Sequence, residues 1–386
     1  MSPEIIFTWF LPAIAFAIGA CIGSFLNVVI YRIPNGLSVN EPKRSFCPKC
    51  KTQIPMALNI PLVTWLMLRG KCKWCKSPIA FRYFLVELLT AIVFLAIWKH
   101  GIETVGLQGV VAYWILAGLL ISATFIDFDH FIIPDSITIG GCGVGILASF
   151  IVPALHKETI WWQGGLQGIL GAIVGFVVLW LVVLMGKMAF GKIKHEFDEP
   201  TDFEISQPGG EEAPIIIKLG DNEYEWGEVF FRKWDRLLMD TKELYFNGER
   251  REFKESFTVI GDGFEVDGER VELEGVKKVT GKIMSAVVPR EAMGFGDVKF
   301  VAMIGAFLGW QSVIFTLFAA SIIGAVVGLT QKFLIKEEWS RPLPFGPYLA
   351  LGAFIWLFIG PGIWMWYISA LRSSAGLSMA GFLFGG

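Results

Sequence analysis

Long apolar runs alternate with short polar breaks along most of the chain. Runs over 5–31, 84–98, 108–126, 134–153, 163–186, 298–310, 312–334 and 343–369 are rich in Leu, Ile, Val, Phe, Ala and Gly, with at most one charged residue in each. About 20 mostly apolar residues cross a bilayer as a helix. The pattern therefore predicts an all-α polytopic membrane protein with about eight transmembrane helices. Breaks by Gly and Pro within such runs are tolerated where backbone lines a protein cavity instead of lipid.

One segment departs from this pattern. Residues 187–290 are mostly polar, and short runs such as Ile215–Leu219, Lys242–Phe246 and Glu269–Leu273 have strand-like content. Asn247-Gly248 and Asp267-Gly268 separate such runs as hairpin turns would. A small β-rich insertion is expected here. The acidic stretch 195–213, which carries Pro and Gly, is expected to be a loose linker.

Composition agrees with a membrane class. Hydrophobic residues make up 54% of the 386, and charged residues 18%, below the roughly 25% of soluble domains. The 43 glycines suit close helix packing in lipid. A net charge of −2 gives no basic footprint for nucleic acid.

Basic residues orient the chain. The loop after the first run holds Arg32, Lys43, Arg44, Lys49, Lys51, Arg69, Lys71, Lys73, Lys76 and Arg82 against Glu41 alone. Positive charge stays on the cytoplasmic side. This loop and the insertion are thus predicted to be cytoplasmic, and the N-terminus outside. Loops 99–107 and 154–162 then fall outside, Lys336 and Arg341 fall inside, and the C-terminus ends outside. The opening MSPE lacks the basic start of a signal peptide. Ile18-Gly19-Ala20-Cys21 looks only loosely like a lipoprotein cleavage site. The expected organisation is a first helix over 1–32, a polar cysteine loop over 33–83 and helices two to five over 84–186. The insertion over 187–290, the last helices over 291–370 and a tail over 371–386 follow.

Two groups of residues carry chemistry. Cys47-Pro48-Lys49-Cys50 and Cys72-Lys73-Trp74-Cys75 are paired C-x-x-C knuckles. Each offers two thiolates on one tight turn, as a closed four-cysteine zinc site requires. Reduced thiols or two disulfides are the alternatives, although disulfides rarely persist in a cytoplasm. Cys21 and Cys142 lie in apolar runs and are expected to be small core residues.

The second group is carboxylates at the membrane boundary, where charge is expensive. Asp127, Asp129 and Asp135 stand where the third run meets the cytoplasm, and Asp297 follows Gly294-Phe295-Gly296 at the start of the sixth. Both places fall on the same predicted membrane face. A pair of aspartates there could share one proton, one acting as base on water and the other as acid toward a carbonyl. Aspartates at helix ends also serve as caps or solvated charges. The flanking glycines favour chemistry at Asp297, because they let backbone and substrate approach closely. His100, His130, His156 and His195 offer no persuasive Ser-His-Asp set. His130 is expected to be a boundary residue, and Glu87 inside the second run serves packing or a hydrogen bond as readily as chemistry.

Together these residues resemble the type IV prepilin peptidase family, the bacterial GxGD membrane aspartic proteases. The resemblance rests on Gly23-Ser24-Phe25-Leu26-Asn27 through Arg32-Ile33-Pro34, the double C-x-x-C loop, Arg82-Tyr83-Phe84-Leu85-Val86-Glu87, Ile126-Asp127 to Pro134-Asp135, and Gly294 to Lys299. It covers about 1–186 and 290–370. It implies catalytic roles for Asp127, seven residues before Pro134, and for Asp297 of the GxGD motif. Asp129, Asp135, Gly294, Gly296 and Lys299 are possible accessories. The resemblance further implies cleavage of type IV prepilins or pseudopilins after a glycine that ends a short basic leader. N-methylation with S-adenosylmethionine would follow, at the cytoplasmic face of a bacterial inner membrane. The insertion departs from the family pattern by separating the two aspartates widely in sequence. A peptidase without methyl transfer is one alternative. A proton- or cation-coupled transporter is another, but the sequence has no inverted repeat and that reading leaves the cysteine loop without a role.

Overall fold

The computed structural model describes residues 6–42, 45–47, 49–55, 58–207, 214–230, 235–253, 257–273, 277–289, 294–335 and 344–374. Lys43, Arg44, Lys336, Arg341 and most of the expected tail lie outside the described residues. The chain divides into two units, one of Met1–Trp180 with Phe295–Gly386 and one of Leu181–Gly294.

Helices occupy the expected positions: α1 (Leu11–Arg32), α2 (Phe81–Gly101), α3 (Gly106–His130), α4 (Asp135–Ile151), α5 (Trp161–Phe190), α6 (Phe295–Leu308), α7 (Trp310–Ile335) and α8 (Gly346–Ser374). Among the described residues, six stretches are long and apolar enough to cross a membrane: Thr8–Arg32, Phe81–Gly101, Gly106–His130, Trp161–Met188, Trp310–Gln331 and Gly346–Arg372. The other two expected spans are shorter. Helix α4 has 17 residues and α6 has 14, so at 1.5 Å per residue they measure about 26 Å and about 21 Å, against about 30 Å of hydrocarbon.

The reason lies in what surrounds these two helices. From Asp297 to Leu308 every residue of α6 except Lys299 is buried. Its apolar sequence answers to neighbouring helices, not to lipid. Helices α4 and α6 lie side by side in the same sense. Lys299 bonds Asp135 at one end, Met303 crowds Gly141 in the middle, and Ser149 donates to the Ala306 carbonyl at 3.0 Å near the other. His156, in the turn beyond α4, sits 2.8 Å from the Ser149 hydroxyl, and burial pushes its imidazole down to about 4.

Small residues set the spacing elsewhere in this unit. A Cβ at Gly19 of α1 would fall 2.7 Å from the Ala91 Cα of α2, and one at Gly23 would fall 2.7 Å from the Glu87 Cα. This four-residue spacing of small side chains lets two backbones touch, which is how helices associate without a hydrophobic driving force.

The second unit contains the insertion. Strands β1 (Lys192–Ser206), β2 (Ile216–Leu219), β3 (Asn222–Glu225), β4 (Arg236–Phe246), β5 (Glu249–Arg250), β6 (Phe257–Ile260), β7 (Gly263–Val266), β8 (Glu269–Glu272) and β9 (Lys278–Pro289) form one antiparallel sheet. Its order is β3-β2-β1-β9-β4-β6-β7-β8, with β5 beside β4. Phe203, Leu237, Phe257, Phe264 and Ile283 fill its core. Asn247-Gly248 and Asp267-Gly268 have positive φ at both positions, the backbone of type I′ hairpin turns.

The loose linker expected over 195–213 is corrected over its described part. Residues 195–206 belong to β1, the long strand paired with β9 from Lys192↔Pro289 to Ser206↔Lys278. Phe203 and Ile205 point into the core while their acidic neighbours face outward. Pro200 sits where the register shifts between Glu196 and Thr201, so its missing N–H costs the ladder little. Residues 208–213 lie outside the described residues.

Candidate active site

Helix α3 ends abruptly just beyond Asp127. Phe131 takes the left-handed conformation at φ +53°, and its N–H closes the last turn on the Asp127 carbonyl at 3.0 Å. The residue before a proline avoids helical backbone, so Ile133-Pro134 reverses the chain into α4, with Asp135 in the first turn. Asp127 is thereby fixed one turn inside the end of α3. It is 5% exposed although it carries a carboxyl group.

Asp297 occupies the first turn of α6 and is 9% exposed. Gly294 stands directly before that helix. Gly296 packs on the reversing loop, since a Cβ there would lie 3.4 Å from Ile133. Helices α3 and α6 are in contact, and Ile133 of the reversing loop lies against both Gly296, next to Asp297, and Gly346, next to the Asp127 carboxyl group. The structure thus brings together two aspartates that are distant in sequence.

A third element completes the site. The backbone N–H of Gly346, at the start of α8, donates to Asp127 Oδ2 at 2.9 Å. A Cβ on Gly346 would stand 2.7 Å from that oxygen and 3.0 Å from Ile133 Cδ1. The first N–H groups of a helix have no internal partner and carry its positive dipole end. Here one of them holds a carboxylate. The sequence reading missed Gly346, although a glycine wedged between Phe345 and Pro347 at the head of an apolar run marks a constrained helix start.

Three of the accessory residues, Asp129, Asp135 and Lys299, take part in ion pairs. Asp129 pairs with Arg82 of α2, whose guanidinium lies 5.5 Å over the Phe125 ring. Asp135 accepts from Lys299 Nζ at 2.6 Å, and that ammonium lies 5.2 Å from the Phe295 ring. Both carboxylates are committed to cations, whereas neither Asp127 nor Asp297 has an ion-pair partner among the described residues. His130 is exposed at the boundary.

The cysteine loop closes into a second site. Cys47 Sγ lies 3.8 Å from Cys75 Sγ, and Cys50 Sγ lies 4.0 Å from Cys72 Sγ. All four sulfurs fall within 4.8 Å of one another, and none is in a disulfide. The two knuckles repeat each other. Lys51 N–H bonds the Cys47 carbonyl and Lys76 N–H bonds the Cys72 carbonyl, with both lysines at φ +57°. Backbone N–H donation, chiefly from Cys50, draws the Cys47 thiol down to about 6. Zn–S bonds of about 2.3 Å in a tetrahedron place sulfurs about 3.8 Å apart. The donor set therefore fits a metal ion bound as zinc is in structural sites, with no open position for catalysis.

Comparison with known proteins adds a family. The model described as the bacterial peptidase A24 N-terminal domain matches residues 17–100, and that of the type IV leader peptidase family matches 114–195 and 275–329. A prepilin leader peptidase/N-methyltransferase from Neisseria gonorrhoeae is 35% identical, over 50% of this chain and 71% of its own length. The chain belongs to the type IV leader peptidase family. A protein of the same name from Aeromonas hydrophila is 28% identical over 94% of this chain and 95% of its own length, and one from Stutzerimonas stutzeri is 28% identical over 93% and 94%. No solved structure matches.

Family membership sharpens two features of the structure. The leader peptidase match skips 196–274, which lies within the sheet of the second unit, so the insertion interrupts the family's own segment. Glu87, undecided from sequence, accepts the Leu62 backbone N–H at 2.7 Å and so fastens the cysteine loop to α2. Sequence alone gave no signal for that contact, because Leu62 contributes only backbone.

Proposed function

We propose that this protein is an aspartic endopeptidase of a bacterial cytoplasmic membrane. It removes the short basic leader of type IV prepilins or pseudopilins by cutting after a glycine, with Asp127 and Asp297 as its catalytic pair. The single observation that carries this reading is two buried carboxyl groups on separate helices that pack against each other. Like charges so close cannot both ionise readily, so the pair holds one proton.

The Gly346 N–H favours the anion on Asp127, which assigns Asp127 as base and Asp297 as acid. Asp127 takes a proton from water, and the water oxygen attacks the scissile carbonyl. Asp297 gives its proton to the carbonyl oxygen. As the tetrahedral intermediate collapses, the C–N bond breaks, the proton held by Asp127 passes to the departing amine, and a hydroxyl proton of the intermediate returns to Asp297 and restores the pair. Lys299 and Arg82 pair with Asp135 and Asp129, which leaves those two carboxylates engaged elsewhere than with the shared proton.

Three further assignments belong to the same reading. Zinc joins Cys47, Cys50, Cys72 and Cys75, where it organises the loop without touching the reaction. The basic loop and the insertion face the cytoplasm, the N-terminus lies outside, and α4 and α6 complete eight crossings inside a shell of longer helices. The amine released by cleavage is then methylated with S-adenosylmethionine, which supplies an electrophilic methyl group. The relatives named prepilin leader peptidase/N-methyltransferase support both halves of this activity.

Incubation of the purified protein with a prepilin peptide and labelled S-adenosylmethionine tests the reading. A shortened peptide that carries the label is expected. Cleavage without label would reduce the reading to a peptidase alone, and an intact peptide would refute it.

A further inference from the structure

The cysteine loop joins α1 and α2, two helices long and apolar enough to cross a membrane. Its middle leaves an apolar face uncovered. Ile60, Val63, Leu66 and Met67 are all exposed, Met67 to 75%. Exposed apolar side chains so concentrated mark a contact surface. Val63, Leu66 and Met67 belong to a short helix, Val63–Met67, and their spacing of three and four puts them on one face of it.

The other side of this helix is fixed. The Trp65 ring packs on Phe81 and Phe84 of α2, with centroids 5.6 Å and 5.1 Å away, and its indole N–H donates to the Ile79 carbonyl at 3.4 Å. The turn that leaves the helix is held as well. Gly70, at φ +65°, donates its N–H to the Trp65 carbonyl at 2.9 Å, and a Cβ there would stand 2.9 Å from the Trp65 ring. The apolar face therefore points outward and is not free to roll inward.

The depth of that face follows from α2. This helix has 21 residues, about 32 Å at about 1.5 Å each, against about 30 Å of hydrocarbon. A crossing thus uses nearly all of α2. Glu87 stands about 9 Å along the helix from Phe81, and it accepts the Leu62 N–H at 2.7 Å. Leu62 directly precedes the short helix. The chain is therefore pinned at the second turn of α2 before the helix starts, and the helix then lies beside the first turn, where Trp65 meets Phe81 and Phe84. Lipid acyl chains reach that depth, whereas a soluble partner does not.

Charge agrees with this neighbour. Lys49, Lys51, Arg69, Lys71, Lys73 and Lys76 are exposed, and none has an ion-pair partner among the described residues. Glu41 is the only acid over 33–83. Trp74, also exposed, stands between Lys73 and Cys75. Aromatic rings of this kind settle at the headgroup level, and exposed lysines and arginines there meet lipid phosphates.

We propose that the cysteine loop is seated in the membrane interface. Ile60, Val63, Leu66 and Met67 enter the acyl region of the bilayer, and the basic residues meet phospholipid headgroups. The loop is then held by lipid at its middle as well as by α1 and α2 at its ends, as an amphipathic interfacial helix is. The proposal concerns where the loop sits and stands apart from the reaction proposed above.

The test is photo-cross-linking of the full-length protein in vesicles of phosphatidylethanolamine and phosphatidylglycerol. One phosphatidylglycerol probe carries a photoreactive group within its acyl chain, and another carries it on the headgroup. With wild type, acyl label is expected within 60–67 and headgroup label within 69–76. Leu66→Ser combined with Met67→Ser is expected to lower acyl labelling of 60–67 roughly tenfold, as loss of buried apolar surface would. Lys71→Gln combined with Lys73→Gln is expected to lower headgroup labelling of 69–76 by about fivefold for each cation removed. The wild-type pattern decides alone if a variant fails to insert. Acyl label confined to the eight long and short helices α1 to α8, with 60–67 spared, would overturn the proposal. So would headgroup label alone on 60–67, or a chain-to-chain cross-link there in place of lipid, which would mean that a second copy covers this face. Unchanged labelling in both inserted variants would contradict it as well.

Discussion

Gly346 has no side chain because Asp127 and Ile133 fill the place where one would stand. The N–H of this residue and its missing Cβ serve the same end, since a backbone donor can reach Oδ2 only if nothing projects between them. A methyl group there would meet the carboxylate oxygen at 2.7 Å and push α8 off the site. Gly346→Ala is therefore expected to reduce leader cleavage by about a hundredfold or more, on the scale by which small misplacements reduce catalysis. Thermal unfolding in detergent is expected to change little, because the defect is local. Comparison of turnover with the unfolding midpoint checks both parts. Normal cleavage by the alanine variant would mean that Asp127 does not depend on this contact.

At the scale of elements, the cysteine loop and the paired short helices show what sequence can and cannot reveal. Cys47, Cys50, Cys72 and Cys75 were legible because a four-thiolate site needs two tight turns, and each turn writes itself locally as C-x-x-C. Asp127 and Asp297 were legible as candidates because charge at a membrane boundary is costly. Their approach was not, since it depends on Ile133 and Gly346 packing across three helices. The lengths of α4 and α6 were blurred for another reason. Apolar sequence signals burial, and burial against Met303 or Phe307 reads the same as burial in lipid. Residues 195–206 were misread because acidic residues and a proline suit a linker, yet alternation of Phe203 and Ile205 with outward charges makes a strand. For the cysteine loop, elemental analysis is expected to find one zinc per chain in wild type and markedly less in Cys72→Ser. Equal zinc in the two proteins would remove the metal from this site.

On the scale of the whole molecule, the sheet of the second unit is an insertion that begins and ends at one place. Lys192 and Pro289 are paired residues on neighbouring strands, so the chain leaves and returns with its ends together. A short linker can then replace the unit, because closing a loop costs an entropy that grows only logarithmically with length. Replacement of 195–280 with a Gly/Ser linker is expected to preserve cleavage of a short model prepilin. A stable, membrane-inserted deletion that lost all cleavage would show that the sheet belongs to the catalytic machinery. The central claim concerns the two aspartates, and one measurement addresses it most directly. The mass of a model prepilin is read after incubation with wild type, Asp127→Asn or Asp297→Asn, each verified as folded in the membrane fraction. Wild type is expected to remove the leader, and each variant is expected to leave it intact. Full removal of the leader by either folded variant would contradict the account.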